Sequence, residues 1–498
     1  MKNIIRLVED FIYYGEKTLG LFPYDGIEAR NKIYYELGIY PNAYYKYKKA
    51  TKIYNVDYFV ANFSEYFKKQ KLDDLTLRIK MARLFDIISP SASDVIKRYY
   101  RIAKVSKRRA ASYLYNLGVN NHYIHLRAVK QNIEWKAEFL HKHYLEITIN
   151  LSKPEKSTAD IAKLVQHPQS DNYPKCALCI ENLGFFGDNK RPQRQTLRIV
   201  PFSLCGERWF MQFSPYGYFN EHMILISFRH ANMEISPRIF KIMMAALKEV
   251  PFYTVTCNAD LPIVGGSILN HEHFQCGDHV FPVQKAIDLY PIKTTKHKDV
   301  KASVVNFYNS VIRLVSNNPD HIIECCNEIF KKWIRFNAPE IDIVSHTKGV
   351  RHNTITPIFR IRDDKKYEAT LILRNNRKSA KYPDGIFHAH PKYFHIKKEN
   401  IGVIEAMGRF ILPGRLKEQM EMATQAVKAG LTKKSQYLKK YPKLQGFDRM
   451  IRYMSKNHMT AKDYINGVCR SILINTAVFK RDPLGNKHFK RFVKSLKL

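Results

Sequence analysis

The sequence predicts an α+β fold: an antiparallel sheet with helices on one side, preceded by a helical region and followed by a second mixed region. Three observations predict it. Apolar residues recur at helical spacing through the first 140 residues. Near residue 140 the texture changes to β-branched alternation. From there strand-like runs follow one another with few helices between them, unlike the strict alternation of a doubly wound parallel sheet.

In chain order, Tyr34, Leu37 and Tyr40 recur at helical spacing, as do Leu77, Met81, Leu84 and Ile88. Leu145 to Asn150 alternates and reads as a strand, broken by the Ser152-Lys-Pro-Glu-Lys run. Further strands are expected at Leu197 to Phe202, Trp209 to Phe213, His222 to Phe228 and Tyr253 to Cys257, with turn signals at Gly206, Pro215-Tyr-Gly217 and Pro251. Residues 235–248 carry the period of one amphipathic helix. Thr354 to Ile361 and Tyr367 to Leu373 read as strands of a second mixed region. A helical stretch from about Lys398, interrupted at Pro413, and a basic helical tail complete the chain. The expected domains are a helical region at 1–140, a catalytic domain at 141–290 and a mixed domain at 291–498.

The chain has 498 residues and is 45% hydrophobic, enough for a sizeable core and against wholesale disorder. Lys and Arg number 82 against 45 Asp and Glu, a formal charge of +37. That favours anionic ligands, but the basic residues are spread along the whole chain and do not by themselves define a function. No run resembles a nucleic-acid recognition motif with interleaved aromatics. Met1 to Lys17 carries charges throughout, so no secretory signal is expected, and no segment is long and uncharged enough to span a membrane. Eight cysteines in so long a chain are not a disulfide scaffold, and a reducing cytoplasm is the expected compartment.

The segment richest in chemistry is Gly265-Gly-Ser-Ile-Leu-Asn-His271-Glu-His273-Phe-Gln275. On a strand, period two sends His271, His273 and Gln275 to one face. Gly265 and Gly266 remove side-chain bulk, so a phosphate could approach the backbone there. A neutral imidazole is a good nucleophile near neutral pH, and its attack on phosphorus splits one hard displacement into two easier ones. Gln275 cannot move a proton at neutral pH but can donate its amide to a non-bridging oxygen. The alternative is a set of satisfied structural histidines, which the shared face and the glycine pair weaken.

Cys176-Ala-Leu-Cys179 suggests zinc or redox chemistry, with ordinary buried cysteines as the alternative. No second C-x-x-C exists, so a tetrahedral zinc site would need two histidines, for which His230 and His271 are candidates. His388 and His390, with His352 upstream, could bind a metal if they share a strand face, or could simply line a polar surface.

With these residues in view, the sequence resembles the galactose-1-phosphate uridylyltransferases, specifically the class found mainly in Firmicutes (type 2). The resemblance covers nearly the whole chain. It is strongest in Leu151-Ser-Lys-Pro-Glu-Lys156, Tyr173-Pro-Lys-Cys-Ala-Leu-Cys179, Asn220-Glu-His222, Asn258-Ala-Asp-Leu-Pro-Ile-Val-Gly-Gly-Ser-Ile-Leu269, Tyr382-Pro-Asp-Gly-Ile-Phe-His388 and Ile396-Lys-Lys-Glu-Asn-Ile-Gly402. It implies a histidine-triad-like antiparallel sheet and transfer of UMP from UDP-glucose to galactose 1-phosphate. It implies that His273 carries the uridylyl group and that Gln275 stabilises the phosphate. It also implies zinc on Cys176, Cys179, His230 and His271, and a second metal near His388 and His390 with His352 as a third ligand. Asn258, Gly266 and Ser267 resemble uridine- and phosphate-contacting positions, and Arg194 and Arg198 anion partners. Cys276 departs from the family, standing where glycine is expected after the glutamine.

Two other functions compete. The same histidine could serve a nucleotidyltransferase or phosphorylase acting on another sugar nucleotide, which a panel of donors and acceptors separates. A nucleic-acid-binding protein would show steep salt dependence of binding; no nucleic-acid or membrane partner is expected, and a homodimer is left open.

Overall fold

The computed structural model describes residues 2–40, 52–139, 143–151, 173–189, 191–266, 268–399 and 401–498. It is mixed helix and sheet, and it divides into two compact units. One comprises residues 1–130, 156–217 and 221–230; the other comprises 131–155, 218–220 and 231–498.

The first unit opens with helices whose starts are written in their caps. Asn55, Asp73, Ser91 and Ser106 each accept a backbone N–H of the first turn, at 2.9–3.2 Å, and begin the helices Val56–Lys69, Asp74–Ile87, Ala92–Ala103 and Lys107–Asn120. Helix Lys2–Tyr14 sets Phe11 against Phe59, Phe63 and Phe85, with ring centroids 5.0–5.1 Å apart. Met81, Leu84 and Ile88 are buried as their spacing predicts, and so are Tyr34 and Leu37. Tyr40 lies beyond the end of its helix and is exposed.

An antiparallel meander follows: Val200–Leu204, Glu207–Phe213 and Met223–Ser227. Its first hairpin turns on Cys205 and Gly206, both with positive φ, and the backbone twist of such a turn matches that of the strands.

The second unit holds a run of seven antiparallel strands. In spatial order these are His273–Gly277, Thr254–Thr256, Asn353–Ile361, Tyr367–Asn375, Val311–Ser316, Lys301–Val305 and Asp288–Ile292. Helices Pro237–Glu249 and Pro319–Trp333 pack on one another and on this sheet, where Phe240 meets Phe359. Both faces are covered, where the sequence suggested helices on one side. Val311, Ile358 and Ile372 join a second core with Phe410, Ile465 and Ile472 from the C-terminal region. Strand Val311–Ser316 is buried at every position, as a strand between two packed layers must be.

A small sheet completes this unit. Ile133–Phe139 and His143–Asn150 pair antiparallel, and Arg409–Pro413 joins His143–Asn150 in parallel. Two expectations change here. The N-terminal helices end at Lys130, and a strand begins at Ile133. The stretch after Lys398 is a one-turn helix, Val403–Ala406, and then the strand Arg409–Pro413. Gly408, at φ 97°, makes the break, and Pro413 sits at the end of an edge strand, where its missing N–H costs no ladder bond. Among the described residues no helix is long and apolar enough to cross a membrane.

Candidate active site

In the first unit, the loop ahead of the meander brings Cys176 and Cys179 together, Sγ to Sγ 3.6 Å, as free thiols. Cys179 Sγ lies 3.0 Å from Nδ1 of His230, which follows the third strand of the meander. The ligand atoms of these three residues all lie within 4.8 Å of one another. The knuckle is held by Asn182, a buried residue that sequence reasoning missed. Its amide donates to the carbonyls of both Cys176 and Cys179 at 2.8 Å. Burial, and after it the charge of Cys176, pushes the Cys179 thiol up to about 12. Two thiolates so close would need a cation between them.

Two arginines expected to meet an anion are also in this unit. Arg198 is committed to the protein: it pairs with Asp86 at 3.0 Å and donates to the carbonyls of Pro90, Gln195 and Leu197 at 2.8–3.0 Å. Arg194 is buried with its guanidinium 5.6 Å over the Tyr123 ring, and it donates to the Tyr123 hydroxyl at 3.3 Å.

In the second unit, His273 and Gln275 lie on strand His273–Gly277, two residues apart and so on one face; His271 just precedes the strand. Phe274 and Cys276 point to the other face and are fully buried, so the thiol that replaces the expected glycine turns away from His273. His273 Nδ1 stands 2.8 Å from the carbonyl oxygen of His271. A carbonyl only accepts, so Nδ1 carries the proton and Nε2 holds the free lone pair. Burial lowers the pKa of His273 to about 4, so the ring is neutral at pH 7. It is only 5% exposed, more enclosed than an open nucleophile would be.

Glu272 lies between the two histidines and is buried. Arg238, at the start of helix Pro237–Glu249, holds it through two hydrogen bonds of 2.8 and 2.9 Å. Nothing in the sequence links these residues, which are 34 positions apart. Arg238→Ala leaves the buried carboxylate without its fork, at a cost of about 1–3 kcal/mol. The expected result is a lower unfolding midpoint and slower chemistry at His273. Arg238→Lys, which cannot form the bidentate pair, should recover little of either.

The glycine pair serves a different purpose from the one expected. A Cβ on Gly265 would meet the Ala259 carbonyl at 2.5 Å, and one on Gly266 would meet Asn258 Nδ2 at 2.7 Å. The space that they leave is filled by the protein's own chain. Asn258 is buried, and its Oδ1 accepts the backbone N–H of Val403 at 2.9 Å. Ser267 lies outside the described residues.

The histidines of the expected second metal site do not converge. Among the described residues His352, His388 and His390 belong to no cluster of three or more metal-ligating side chains. His388 and His390 lie in irregular chain beyond the strand Tyr367–Asn375, not on a shared strand face. His352 Nδ1 donates to Asn376 at 2.9 Å, and His390 stacks on Tyr382 at 4.1 Å. His388 is buried, and its Nε2 accepts the N–H of Ile401 at 3.3 Å.

Comparison with known proteins supplies the class. Residues 66–231 match the family described as Galactose-1-phosphate uridyl transferase, N-terminal domain. The chain is 41% identical over 446 residues to a galactose-1-phosphate uridylyltransferase of Caldanaerobacter subterraneus subsp. tengcongensis, covering 85% of this chain and 84% of that protein. A relative of the same name from Staphylococcus saprophyticus is 40% identical over 420 residues, with 83% of each chain covered. One from Streptococcus pneumoniae is 39% identical over 416 residues, again with 83% of each covered. The protein is therefore an enzyme of the nucleotidyltransferase class. More narrowly, the chain belongs to the galactose-1-phosphate uridylyltransferase family.

Proposed function

We propose that the chain exchanges UMP between UDP-glucose and galactose 1-phosphate, with His273 as the nucleophile. His273 Nε2 attacks the α-phosphorus of UDP-glucose. The bond from that phosphorus to the bridging oxygen breaks, and glucose 1-phosphate leaves with its electron pair. The uridylyl group is then held on nitrogen as a phosphoramidate. A phosphate oxygen of galactose 1-phosphate attacks the same phosphorus, the P–N bond breaks, the lone pair returns to Nε2 and UDP-galactose departs. Gln275, on the same strand face, donates its amide to a non-bridging oxygen in both steps. Asn258, Gly266 and Ser267 would contact the nucleotide, as the family resemblance implies, and Arg194 would contact an anion. In this reading residues 141–290 form the catalytic domain, in a histidine-triad-like arrangement, between the 1–140 and 291–498 regions.

The observation that carries the proposal is the hydrogen bond from His273 Nδ1 to the His271 carbonyl. It sets the tautomer that leaves Nε2 nucleophilic, and it stabilises the ring as it becomes cationic on attack. Zinc would be held by Cys176, Cys179, His230 and His271, a donor set of two thiolates and two imidazoles that suits a closed tetrahedral site. Bound there, zinc would act structurally, by fixing the His271 backbone whose carbonyl orients the nucleophile.

The test is intact mass after incubation with UDP-glucose alone. A gain of one uridylyl group, mapped to the peptide bearing His273, is expected. An unmodified protein, or an adduct on another residue, would rule the proposal out.

A further inference from the structure

Two buried polar side chains hold the backbone that Asn258 binds. Arg374, on strand Tyr367–Asn375, is 1% exposed, and its Nη2 donates to the Ile401 carbonyl at 2.7 Å. His388, 2% exposed, accepts the Ile401 N–H through Nε2. Two residues on, the Val403 N–H binds Asn258 Oδ1. Between them Gly402 lies against the site: a Cβ there would come within 3.3 Å of Asn258 Oδ1 and 3.8 Å of Gly266 Cα.

The order of these contacts is informative. Ile401 is gripped at both backbone polar groups, one by an arginine and one by a histidine, and both are held out of water. A guanidinium so placed is costly to retain and is uncommon as mere packing. What it steadies is a short backbone run whose next amide fixes the rotation of the Asn258 carboxamide. With Oδ1 engaged by Val403, Nδ2 is the end turned to Gly266. The amide could otherwise flip, presenting an acceptor where a donor stands.

We infer that Arg374 and His388 are positioning residues that clamp Ile401 to Val403, and so hold Asn258 with its N–H donor presented at Gly266, on the wall that receives the uridylyl donor. This rests on the proposed uridylyl transfer, and it gives His388 a role other than metal ligand. The clamp acts on substrate affinity more than on the chemical step, because it orients Asn258 rather than His273.

The test is steady-state kinetics on the full chain with metal content measured in parallel. His388→Ala should raise KM for UDP-glucose about 10-fold, the usual effect of stranding one buried N–H, while kcat falls less. His388→Gln places an amide oxygen near the position of Nε2 and should restore KM to within about threefold of the parent. The double variant with Asn258→Ala should be no worse than Asn258→Ala alone, since both changes remove one arrangement. If His388→Ala does not fold, Gly402→Ala, which crowds Asn258 from within the clamped run and leaves Arg374 and His388 in place, should raise KM in the same way. Zinc content should not change. Additive effects of His388→Ala and Asn258→Ala, an unchanged KM, or loss of a metal equivalent on changing His388 would each overturn the inference. A parent protein that forms no uridylyl adduct would instead overturn the proposed function, and the two failures are read separately.

Discussion

His273→Ala is expected to abolish uridylyl transfer, with kcat/KM falling on the order of 10⁵-fold and no adduct visible by intact mass. The size of the effect follows from the role. No other described side chain on strand His273–Gly277 offers an unprotonated nitrogen at neutral pH: Gln275 is an amide and Cys276 is a buried thiol on the opposite face. Burial raises the pKa of the Cys276 thiol, which holds it protonated and unable to take over as nucleophile. The substitution removes a buried ring and its hydrogen bond to the His271 carbonyl, so a loss of about 1–3 kcal/mol of stability is expected with the fold retained. Circular dichroism and the unfolding midpoint of the variant therefore serve as controls. A variant that is fully labelled by UDP-glucose while folded would mean that the nucleophile is elsewhere.

Much of this arrangement was legible in the residues, for identifiable reasons. The helical caps Asn55, Asp73, Ser91 and Ser106 act within three residues, so local reading suffices for the helices they begin. Strands such as Leu145 to Asn150 announce themselves by alternation and β-branching. The thiol pair and His230 follow from the tetrahedral demand of zinc, together with the resemblance. What could not be read is set by contacts distant in sequence. Strand Arg409–Pro413 exists because it pairs in parallel with His143–Asn150, over 250 residues earlier, and its Pro413 looks locally like an interruption. Nothing near Arg198 in sequence reveals Asp86 as its partner. The glycine pair at 265–266 is closely approached by the protein's own chain, Gly265 by the Ala259 carbonyl and Gly266 by Asn258, and no local signal names these partners. The Arg238–Glu272 fork left no sequence signal beyond a carboxylate between two histidines.

Cys179→Ser is expected to strip the proposed zinc and to slow His273 labelling by about 10–100-fold, the range found when the support of a metal-held group is removed. A serine oxygen is a poor substitute for thiolate: it stays protonated at neutral pH and is a harder donor than zinc favours. Each 100-fold loss of metal affinity removes about 2.7 kcal/mol of linked stability, so the unfolding midpoint should fall with it. The effect on chemistry arises at one remove. Cys179 sits 3.0 Å from His230 in the first unit, and the proposed fourth ligand, His271, supplies the carbonyl that fixes the nucleophile's tautomer. Losing the metal would free that backbone and allow the His273 proton to exchange between its two nitrogens. Part of the population would then present a protonated Nε2, which cannot attack. Zinc measured by mass spectrometry of the native protein, with labelling rates for the parent, Cys179→Ser and a chelator-treated sample, separates the outcomes. A Cys179→Ser protein that keeps one zinc and labels at the parental rate would remove the metal from the account and leave His273 oriented by the His271 carbonyl without it.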